Sequence, residues 1–389
     1  MSIDTELNNM TKQARWTGVP RLAALTVLAL LSGTAAAAYE VNFQKPATQL
    51  AQEVYDLHMW MMAVCITIFA IVFGVMLYSI IRHRKSSGGT PARFHESTKV
   101  EILWTVIPFI ILIVIAWPVT TTLLSMRDTA SADITIKATG YQWKWGYDYL
   151  KGDGEGIKFM SVLATPKDQM EGKAPKGEHY LLEVDNPLVV PVNKKVRILT
   201  TSNDVIHAWY VPALAVQQDA MPGFIRDTWF SADREGVFRG QCAQLCGKDH
   251  GYMPIVVEVV SQEKYAAWVA DQTKKLAANA GDQGKVWPLA DLMKHGEEIY
   301  SKNCAACHQA NGKGIASVFP ALDGSKVATG PKLDHIKTVL DGRPGTAMAP
   351  FGGQLSDLDL AAVISYERNS WSNKTGDAIQ PSEIKALRH

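Results

Sequence analysis

Two long apolar segments without a charged residue constrain this chain more than any other feature. Met59–Ile81 and Ile102–Leu124 are each 23 residues long, and about 20 apolar residues cross the hydrocarbon core of a bilayer as a helix. A helix buried in a globular core is rarely that long without a charge. Pro108 and Pro118 in the second segment are tolerated where a neighbouring helix covers the freed carbonyls. The sequence therefore predicts a two-helix transmembrane hairpin within residues 39–127.

The charges of the connecting loop predict how this hairpin is oriented. Five basic residues lie between the two segments: Arg82, Arg84, Lys85, Arg93 and Lys99. Short loops rich in Lys and Arg stay in the cytoplasm. Both outer ends of the hairpin, and everything after Leu124, are therefore expected outside the cytoplasm.

Residues 1–38 have the composition of a secretory signal peptide. Two arginines precede the apolar stretch Leu22–Leu31, and the small residues after it suit cleavage near Ala38. Asp4 and Glu6 are atypical for such a segment, so an uncleaved anchor is the alternative.

Residues 128–262 carry short β-type runs separated by Pro, Gly, Asn and Asp, a pattern typical of a β-sandwich or barrel. The predicted strands are Ile134–Ala138, Tyr180–Val184, Lys195–Thr200, Asp227–Phe230, Gly236–Arg239 and Ile255–Val259. Loops at one end of such a rigid scaffold readily assemble a metal site.

One of these loops holds a cluster of soft ligands. Cys242 and Cys246 are followed by His250 and Met253, and His207 lies in an earlier polar turn. Thiolates with imidazoles suit copper or zinc, and the added Met favours copper that transfers electrons. Two Cys with two His exceed what one blue-copper ion needs, so we expect two copper ions bridged by both thiolates. A small disulfide and a single zinc ion are the alternatives.

A second metal site is predicted nearer the C-terminus. Cys304-Ala-Ala-Cys307-His308 is the C-x-x-C-H pattern that attaches haem c through two thioethers, with the His on iron. The other axial ligand should be a soft group downstream, and Met348 in a Gly/Pro-rich loop is the candidate. A thioredoxin-like redox pair is disfavoured because no βαβ pattern surrounds these Cys.

The haem motif lies in a small all-α domain expected over residues 289–371. Helices are predicted over Leu292–Tyr300 and Leu355–Trp371, with Ser356 as the N-cap of the second. The remaining segments are a linker at 263–288, which begins with a short helix, and a tail at 372–389.

Composition adds two exclusions. The net charge is +1 without a basic block, so binding to nucleic acid has no support. Four of the five Cys belong to the two metal motifs and the fifth is Cys65, so no pair remains for a structural disulfide.

Several motifs together closely resemble subunit II of cytochrome c oxidase, in the bacterial caa-type form with a cytochrome c domain fused at its C-terminus. They lie within residues 45–371 and comprise Gly140–Tyr149, Val205–Trp209, Asp219–Gly223, the Cys242–Met253 loop and the C-x-x-C-H motif. The resemblance implies a cupredoxin-like Greek-key barrel before the linker and a class I cytochrome c domain after it. The copper ligands that it implies are His207, Cys242, the main-chain carbonyl of Gln244, Cys246, His250 and Met253.

The resemblance also assigns three further roles. Gln244 stands where the family commonly has a Glu that also binds magnesium at the border with subunit I, and a neutral amide is a weaker ligand for that ion, which puts the magnesium site in question. Trp143 matches the tryptophan where electrons enter the copper centre, with an ordinary strand residue as the alternative. Glu101 matches a carboxylate near a proton-uptake channel of subunit I, and would otherwise be an interfacial charge.

The function implied by the resemblance is that of an electron-input subunit in a bacterial inner membrane, with the copper and haem domains on the periplasmic side. Cytochrome c or a similar donor would reduce haem c, and electrons would continue through the copper to subunit I, which reduces oxygen to water with proton translocation. Subunit III is a further expected partner. The oxygen-reducing site is assigned to subunit I because the two spans of this chain hold no His cluster. A membrane-tethered electron shuttle remains an alternative, as does a nitrous-oxide-reductase-like copper protein, which the hairpin and the few His disfavour.

Overall fold

The computed structural model describes residues 42–88, 95–281 and 285–388. The expected signal peptide at 1–38 lies outside the described residues. Lys45–His389 forms one compact unit, in which two long helices come first, a β domain second and a helical domain last.

The two apolar segments form long helices, α1 (Gln49–Arg82) and α2 (Thr98–Arg127). Both are long and apolar enough to cross a membrane, with a mean hydropathy of 2.6 in their most apolar windows. The Thr48 hydroxyl caps α1 by accepting a hydrogen bond from a backbone N–H of the first turn. Helix α2 continues through Pro108 and Pro118, so these residues do not divide the second segment.

The outer ends of both helices are attached to the β domain. Helix α1 begins well before the predicted span, and Leu50 in its first turn is buried. The Thr48 hydroxyl donates to the Leu214 carbonyl at 3.3 Å. Near the end of α2, the Trp229 indole N–H donates to the Ser125 carbonyl at 3.1 Å. The first helix therefore runs from the β domain into the apolar span without a break.

Ten strands form two sheets in the β domain. They are β1 (Ile134–Tyr141), β2 (Lys144–Lys151), β3 (Lys158–Ser161), β4 (Leu188–Pro191), β5 (Val196–Ser202), β6 (His207–Val211), β7 (Val216–Ala220), β8 (Arg226–Phe230), β9 (Gly236–Cys242) and β10 (Pro254–Val260), with a short helix α3 (Lys167–Met170) after β3. The strand orders are β3-β2-β1-β5-β8 and β4-β10-β9-β6-β7. The pairs β1–β5 and β4–β10 are parallel, whereas β1–β2, β6–β7 and β9–β10 are antiparallel.

Alternating side chains from the two sheets fill one core. Strand β5 alternates between buried and half-buried residues, as expected for a strand with one face inward. Ile136, Trp145, Ile198 and Trp209 are completely buried in this core. Burying an apolar side chain of this size contributes about 2–3 kcal/mol, so the core provides a rigid base for the loops at its ends.

Seven further helices follow the β domain in the part of the chain that the structure describes: α4 (Gln262–Gly281), α5 (Leu289–Asn303), α6 (Ala305–His308), α7 (Lys326–Thr329), α8 (Lys332–Asp341), α9 (Asp357–Asn369) and α10 (Pro381–Lys385). Helices α5 and α9 cross closely at Gly296, where a Cβ atom would lie 2.2 Å from the Ala362 carbonyl oxygen. The predicted N-cap at Ser356 is confirmed, since its hydroxyl and the Asp359 carboxylate form a reciprocal capping box.

One predicted strand is wrong. Tyr180–Val184 forms a turn in which Leu181 has a left-handed backbone (φ 62°). The Leu181 N–H donates to the Thr165 hydroxyl at 3.1 Å, and Val184 makes an isolated bridge with Leu163. The apolar composition of this run is therefore not accompanied by a strand, because its hydrogen bonds are made in a turn and an isolated bridge.

The segments expected as a linker and a tail contribute buried side chains to the two domains. Much of the expected linker at 263–288 is helix α4, whose Tyr265 is fully buried in the core of the β domain. The expected tail at 372–389 contributes Ile379 and Ile384 to the core of the helical domain. In both cases large apolar side chains are buried, and this burial favours packing over a free chain.

Candidate metal centres

Two neighbouring strands bring the first ligands of the sulfur-rich site together. His207 begins β6 and Cys242 ends β9, and the register pairs Trp209 with Cys242. The Cys242 N–H donates to the Met253 carbonyl at 3.1 Å, which fixes both ends of the ligand loop. Gly140 in β1 lies against the imidazole, because a Cβ atom there would be 2.6 Å from Cδ2 of His207.

The side chains of this loop converge with their donor atoms inward. The two Sγ atoms of Cys242 and Cys246 are 3.9 Å apart. His207 Nδ1 lies 3.9 Å from the Cys242 sulfur, and His250 Nδ1 lies 3.4 Å from the Cys246 sulfur. The Gln244 carbonyl oxygen is 3.3 Å from the Cys242 sulfur. Each sulfur therefore faces its own imidazole nitrogen.

Sequence reasoning missed Asp204, which orients one of these imidazoles. Its carboxylate lies 2.8 Å from Nε2 of the completely buried His207. Burial lowers the pKa of His207, but the hydrogen bonds to Asp204 and Cys242 outweigh it, and the pKa is raised overall. Carboxylates commonly hold a metal-binding His in this way, leaving the other ring nitrogen toward the metal. The turn-forming Asn203-Asp204 pair was the available signal.

The two thiols differ in acidity. Their mutual contact lowers the pKa of Cys242 and raises that of Cys246, and the hydrogen bond with His207 lowers the pKa of Cys242 further. Cys242 therefore has the lower pKa of the two thiols. The thiolate is the form of Cys that binds a metal ion.

This donor set fits a soft metal centre. The Sγ–Sγ distance of 3.9 Å is far from the ~2.05 Å of a disulfide, and both Cys are free. His207, Cys242 and Cys246 present donor atoms within 4.8 Å of one another. Met253 is buried as well. Two thiols, two imidazoles, one thioether and one carbonyl are the donors expected for a dinuclear copper site.

Trp143 lies directly against the Cys242–Met253 loop, which is called the copper loop below because copper is the metal expected there. Its indole N–H donates to the Cys246 carbonyl at 3.1 Å, and the Gln142 side chain donates to the same oxygen at 2.8 Å. Trp143 is half-buried and packs against the core of the β domain. The ring therefore contacts the backbone of Cys246, a proposed copper ligand, and part of the ring remains exposed.

The C-x-x-C-H motif lies where α5 passes into α6. The buried His308 uses Nδ1 to contact the Pro320 carbonyl at 2.9 Å, so Nε2 is left for another ligand. Cys304 and Cys307 are free, and burial raises the pKa of both thiols.

Met348 is half-buried in the loop between α8 and α9. Its carbonyl accepts the Arg343 N–H at 2.9 Å, and its N–H donates to the Thr346 hydroxyl at 3.2 Å. Within residues 285–388 the hydrogen bonds do not join Met348 to His308. The loop is thus held by its own backbone, and Met348 as a haem ligand stays a prediction.

Glu101 lies away from both centres, in the first turn of α2. Its side chain is exposed and accepts a hydrogen bond from the Ser97 N–H at 3.3 Å. This contact explains its presence at a helix N-terminus, where a negative charge is favoured. A role in proton uptake stays a prediction.

Three family models match this chain. Residues 36–121 match "Cytochrome C oxidase subunit II, transmembrane domain", and residues 134–260 match "Cytochrome C oxidase subunit II, periplasmic domain". Residues 291–366 match "Cytochrome C oxidase, cbb3-type, subunit III". The predicted fold of a two-helix hairpin, a cupredoxin-like β domain and a helical cytochrome c domain is confirmed.

Similar proteins cover the first two of these regions. The probable cytochrome c oxidase subunit 2 of Rickettsia prowazekii is 39% identical over 242 residues, which are 62% of this chain and 75% of the relative. Cytochrome c oxidase subunit 2 of Cereibacter sphaeroides is 39% identical over 266 residues, 62% of this chain and 87% of the relative. A solved structure, the periplasmic domain of subunit II of cytochrome oxidase from Bradyrhizobium japonicum, is 46% identical, with 38% of this chain and 98% of that chain covered and a TM-score of 0.34.

Proposed function

Because this chain belongs to the cytochrome c oxidase subunit II family, we propose that it is the electron-input subunit of a caa-type terminal oxidase. In this proposal cytochrome c or a similar donor supplies electrons through haem c and dinuclear copper to subunit I, which reduces oxygen to water with proton translocation. The observation that carries the proposal is the sulfur pair in which each thiol faces a separate imidazole nitrogen. The covalent haem motif in the same chain supports the fused form.

The residues of the β domain would hold the copper ions. Cys242 and Cys246 would bridge them, His207 and His250 would each bind through Nδ1, and Met253 with the Gln244 carbonyl would complete the set. Asp204 keeps the His207 ring oriented, since it occupies Nε2. Copper held in this way supplies rapid one-electron chemistry, because a rigid ligand set changes little with charge. The protein contributes the rigidity through the core beneath the loop.

The helical domain would hold the haem. Cys304 and Cys307 would form the thioethers, His308 would bind iron through Nε2, and Met348 would be the second protein ligand of the iron. The hydrogen bond from His308 Nδ1 to the Pro320 carbonyl fixes the ring and makes it a stronger ligand. Met/His ligation raises the potential of haem into the range useful for electron transfer.

Trp143 would be the residue where electrons enter the copper site. Its indole N–H donates to the Cys246 carbonyl, and part of the ring is exposed. An aromatic ring at this position shortens the gap between the surface and the copper loop.

The hairpin makes the chain a membrane protein with a soluble domain. We place it in the bacterial inner membrane, with the copper and haem domains on the periplasmic side, because the connecting loop is basic. Subunits I and III are the proposed partners within the complex. Glu101, at the loop end of α2, would then lie at the cytoplasmic face near the proton-uptake entrance of subunit I.

Metal analysis with electron paramagnetic resonance of the purified protein tests this function. We expect two copper ions per chain with a mixed-valence signal, together with one covalent haem. Cys246→Ser should lose the dinuclear signal, whereas Cys65→Ser, which changes a Cys in the first span, should keep it. A four-line signal from one copper ion, or zinc in its place, would refute the proposal.

A further inference from the structure

A lysine joins the copper loop to the haem motif. Lys248 lies between the proposed copper ligands Cys246 and His250, and its Nζ donates to the Ala306 carbonyl at 2.8 Å. Ala306 lies between Cys304 and Cys307, which would attach the haem. One hydrogen bond thus connects the two cofactor-binding segments of the chain.

Aromatic rings on both sides reinforce this contact. The Lys248 ammonium lies 5.7 Å from the ring centre of Trp143 and 5.9 Å from that of Phe319. A cation within about 6 Å of a ring face is attracted to it. Phe319 precedes Pro320, whose carbonyl holds His308. Lys248 therefore touches the proposed site where electrons enter the copper and the segment that supports the haem ligand.

A second lysine is covered by the same contact between the domains. Lys144 begins β2, next to Trp143, and only 6% of it is exposed. Its Nζ donates to the Asn303 amide oxygen at 2.7 Å and lies 5.0 Å from the ring centre of Phe351. Both partners belong to the helical domain, so separation of the two domains would expose this amine. Its accessibility reports whether the domains are docked.

The hydrogen-bond acceptors of both lysines in the helical domain are neutral, and the carboxylate nearest to Lys248, that of Asp249 at 3.6 Å, belongs to its own loop. Lys248 donates to a backbone carbonyl and Lys144 to a side-chain amide. At the rim, by contrast, Lys302 faces the Asp185 carboxylate at 3.9 Å with half of its side chain exposed, and exposed pairs of this kind contribute little. The contact between the domains is therefore set by short-range geometry rather than by long-range attraction of charges.

We propose that Lys248 is a positioning residue, which holds the C-x-x-C-H segment against the Trp143 side of the copper loop for electron transfer within one chain. This inference rests on the proposed function, because only bound copper and haem give the contact its purpose. Tethering keeps the two segments at a high effective concentration, and Lys248 selects one orientation.

Acetylation of surface amines tests the contact without reference to activity. The full-length protein in detergent is treated with an amine-acetylating reagent, and modification is followed by mass spectrometry. The reference is Lys158, whose side chain is 69% exposed. Lys144 should be acetylated about tenfold more slowly than Lys158, because its reaction requires the two domains to separate. Lys248→Met keeps the aliphatic stem but removes the donor, and should speed acetylation of Lys144 several-fold. Lys302→Met should leave that rate unchanged.

Flash-induced electron transfer from haem to copper tests the role of the contact. Lys248→Met should slow transfer several-fold, because the hydrogen bond that holds the C-x-x-C-H segment in one orientation is lost, while Lys302→Met should transfer at the normal rate. Copper and haem spectra of each variant show whether both groups remain bound. Unchanged transfer in a fully loaded Lys248→Met protein, or unchanged protection of Lys144, would overturn the inference. Absence of copper or haem from the wild-type protein would instead refute the proposed function, and acetylation would still report the contact.

Discussion

At the scale of single residues, Asp204 illustrates how a neighbour outside the ligand set prepares a ligand. Its carboxylate binds Nε2 of His207, so Nδ1 is the nitrogen that faces the sulfur of Cys242. Without this contact the buried ring could rotate or exchange its proton between nitrogens. The carboxylate therefore fixes both the orientation and the tautomer of the ligand.

Replacing Asp204 should weaken copper binding. Asp204→Asn keeps the shape but removes the charge, and we expect copper affinity to fall about 10- to 100-fold, as is typical when such a partner is lost. Competition with a chelator measures this affinity. Asp148→Asn, which alters a carboxylate paired with Lys137, is the control and should bind copper normally. Equal affinities in the two variants would show that Asp204 does not support the ligand.

Gly140 is needed because His207 occupies the space of a side chain. A Cβ atom in Gly140→Ala would lie 2.6 Å from the imidazole, so we expect a loss of about 1–3 kcal/mol of stability from overpacking and a loss of copper. Gly251→Ala is the matched control, since it lies in the ligand loop with no atom within 4 Å of its added Cβ. Thermal unfolding and copper content measure the two effects. Retention of copper in Gly140→Ala would contradict the assignment of His207.

The proposed ligands could be read from the sequence because their chemistry is carried by residue type and short spacing. Cys242, Cys246 and His250 lie within one loop, and His308 directly follows Cys307. Spacing in the sequence does not identify Asp204, because the turn before β6 brings its carboxylate to the His207 ring. Lys248 was missed for a different reason, since its partner Ala306 belongs to another domain.

At the scale of elements, the alternation of apolar and polar residues predicted strands that have one buried face, and it did not predict other segments correctly. Strand β5 alternates as expected, and the predicted helix over Leu355–Trp371 is observed as α9 with its cap. Strand β2 buries four consecutive residues at its start, so its aromatic run has no clear period of two. The Tyr180–Val184 run resembles a strand in composition, but local hydrogen bonds to Thr165 and others hold it as a turn.

The packing of α5 on α9 should depend on pH. His295 Nε2 lies 2.7 Å from the Asp359 carboxylate, and this hydrogen bond raises the pKa of His295 above its ordinary 6.5 against the opposing effect of burial. The pKa of Asp359 is lowered, because hydrogen bonds from His295 and Ser356 outweigh the burial that raises it. The folded state thus holds the His proton more tightly than the unfolded state. The stabilisation is fully present below pH 6.5 and is lost as pH rises through the raised pKa of His295.

Thermal unfolding of the helical domain measures this effect. Its midpoint should fall by a few degrees at most between mildly acidic and mildly alkaline pH, since the pair is partly exposed and screened by solvent. His295→Gln removes the titrating group and should flatten the pH dependence in this range. An unchanged slope in that variant would assign the effect to another group.

At the scale of the whole molecule, the order of domains followed from hydropathy and motifs, whereas their contacts did not. The hairpin is marked by two uncharged segments and the helical domain by its haem motif. The packing of Tyr265 on the β domain and of Ile384 on the helical domain depends on surfaces that form only after folding. A sequence pattern describes each element but not the surface that receives it.

The proposed topology predicts opposite locations for the loop and the C-terminus. A reporter inserted at Ser86, in the loop after α1, should report a cytoplasmic location. The same reporter appended to the C-terminus should behave as a periplasmic protein. A basic loop stays in the cytoplasm, so the other ends of both helices lie on the periplasmic side. Alkaline phosphatase and a fluorescent protein provide complementary readouts. Matching results at the two positions would refute the hairpin.

The unbroken course of α1 has a mechanical consequence. About ten residues separate its start from the apolar span, so its attachment to the β domain lies about 15 Å from that span along the helix axis. Each residue inserted there would lift the domain by about 1.5 Å and turn it by about 100° around the helix axis. The hydrogen bond from Thr48 to Leu214 ties that rotation to the domain itself. The position of the Cys242–Met253 loop relative to the first span is therefore tied to the length of this helix, while the contact between Trp229 and Ser125 ties it to α2.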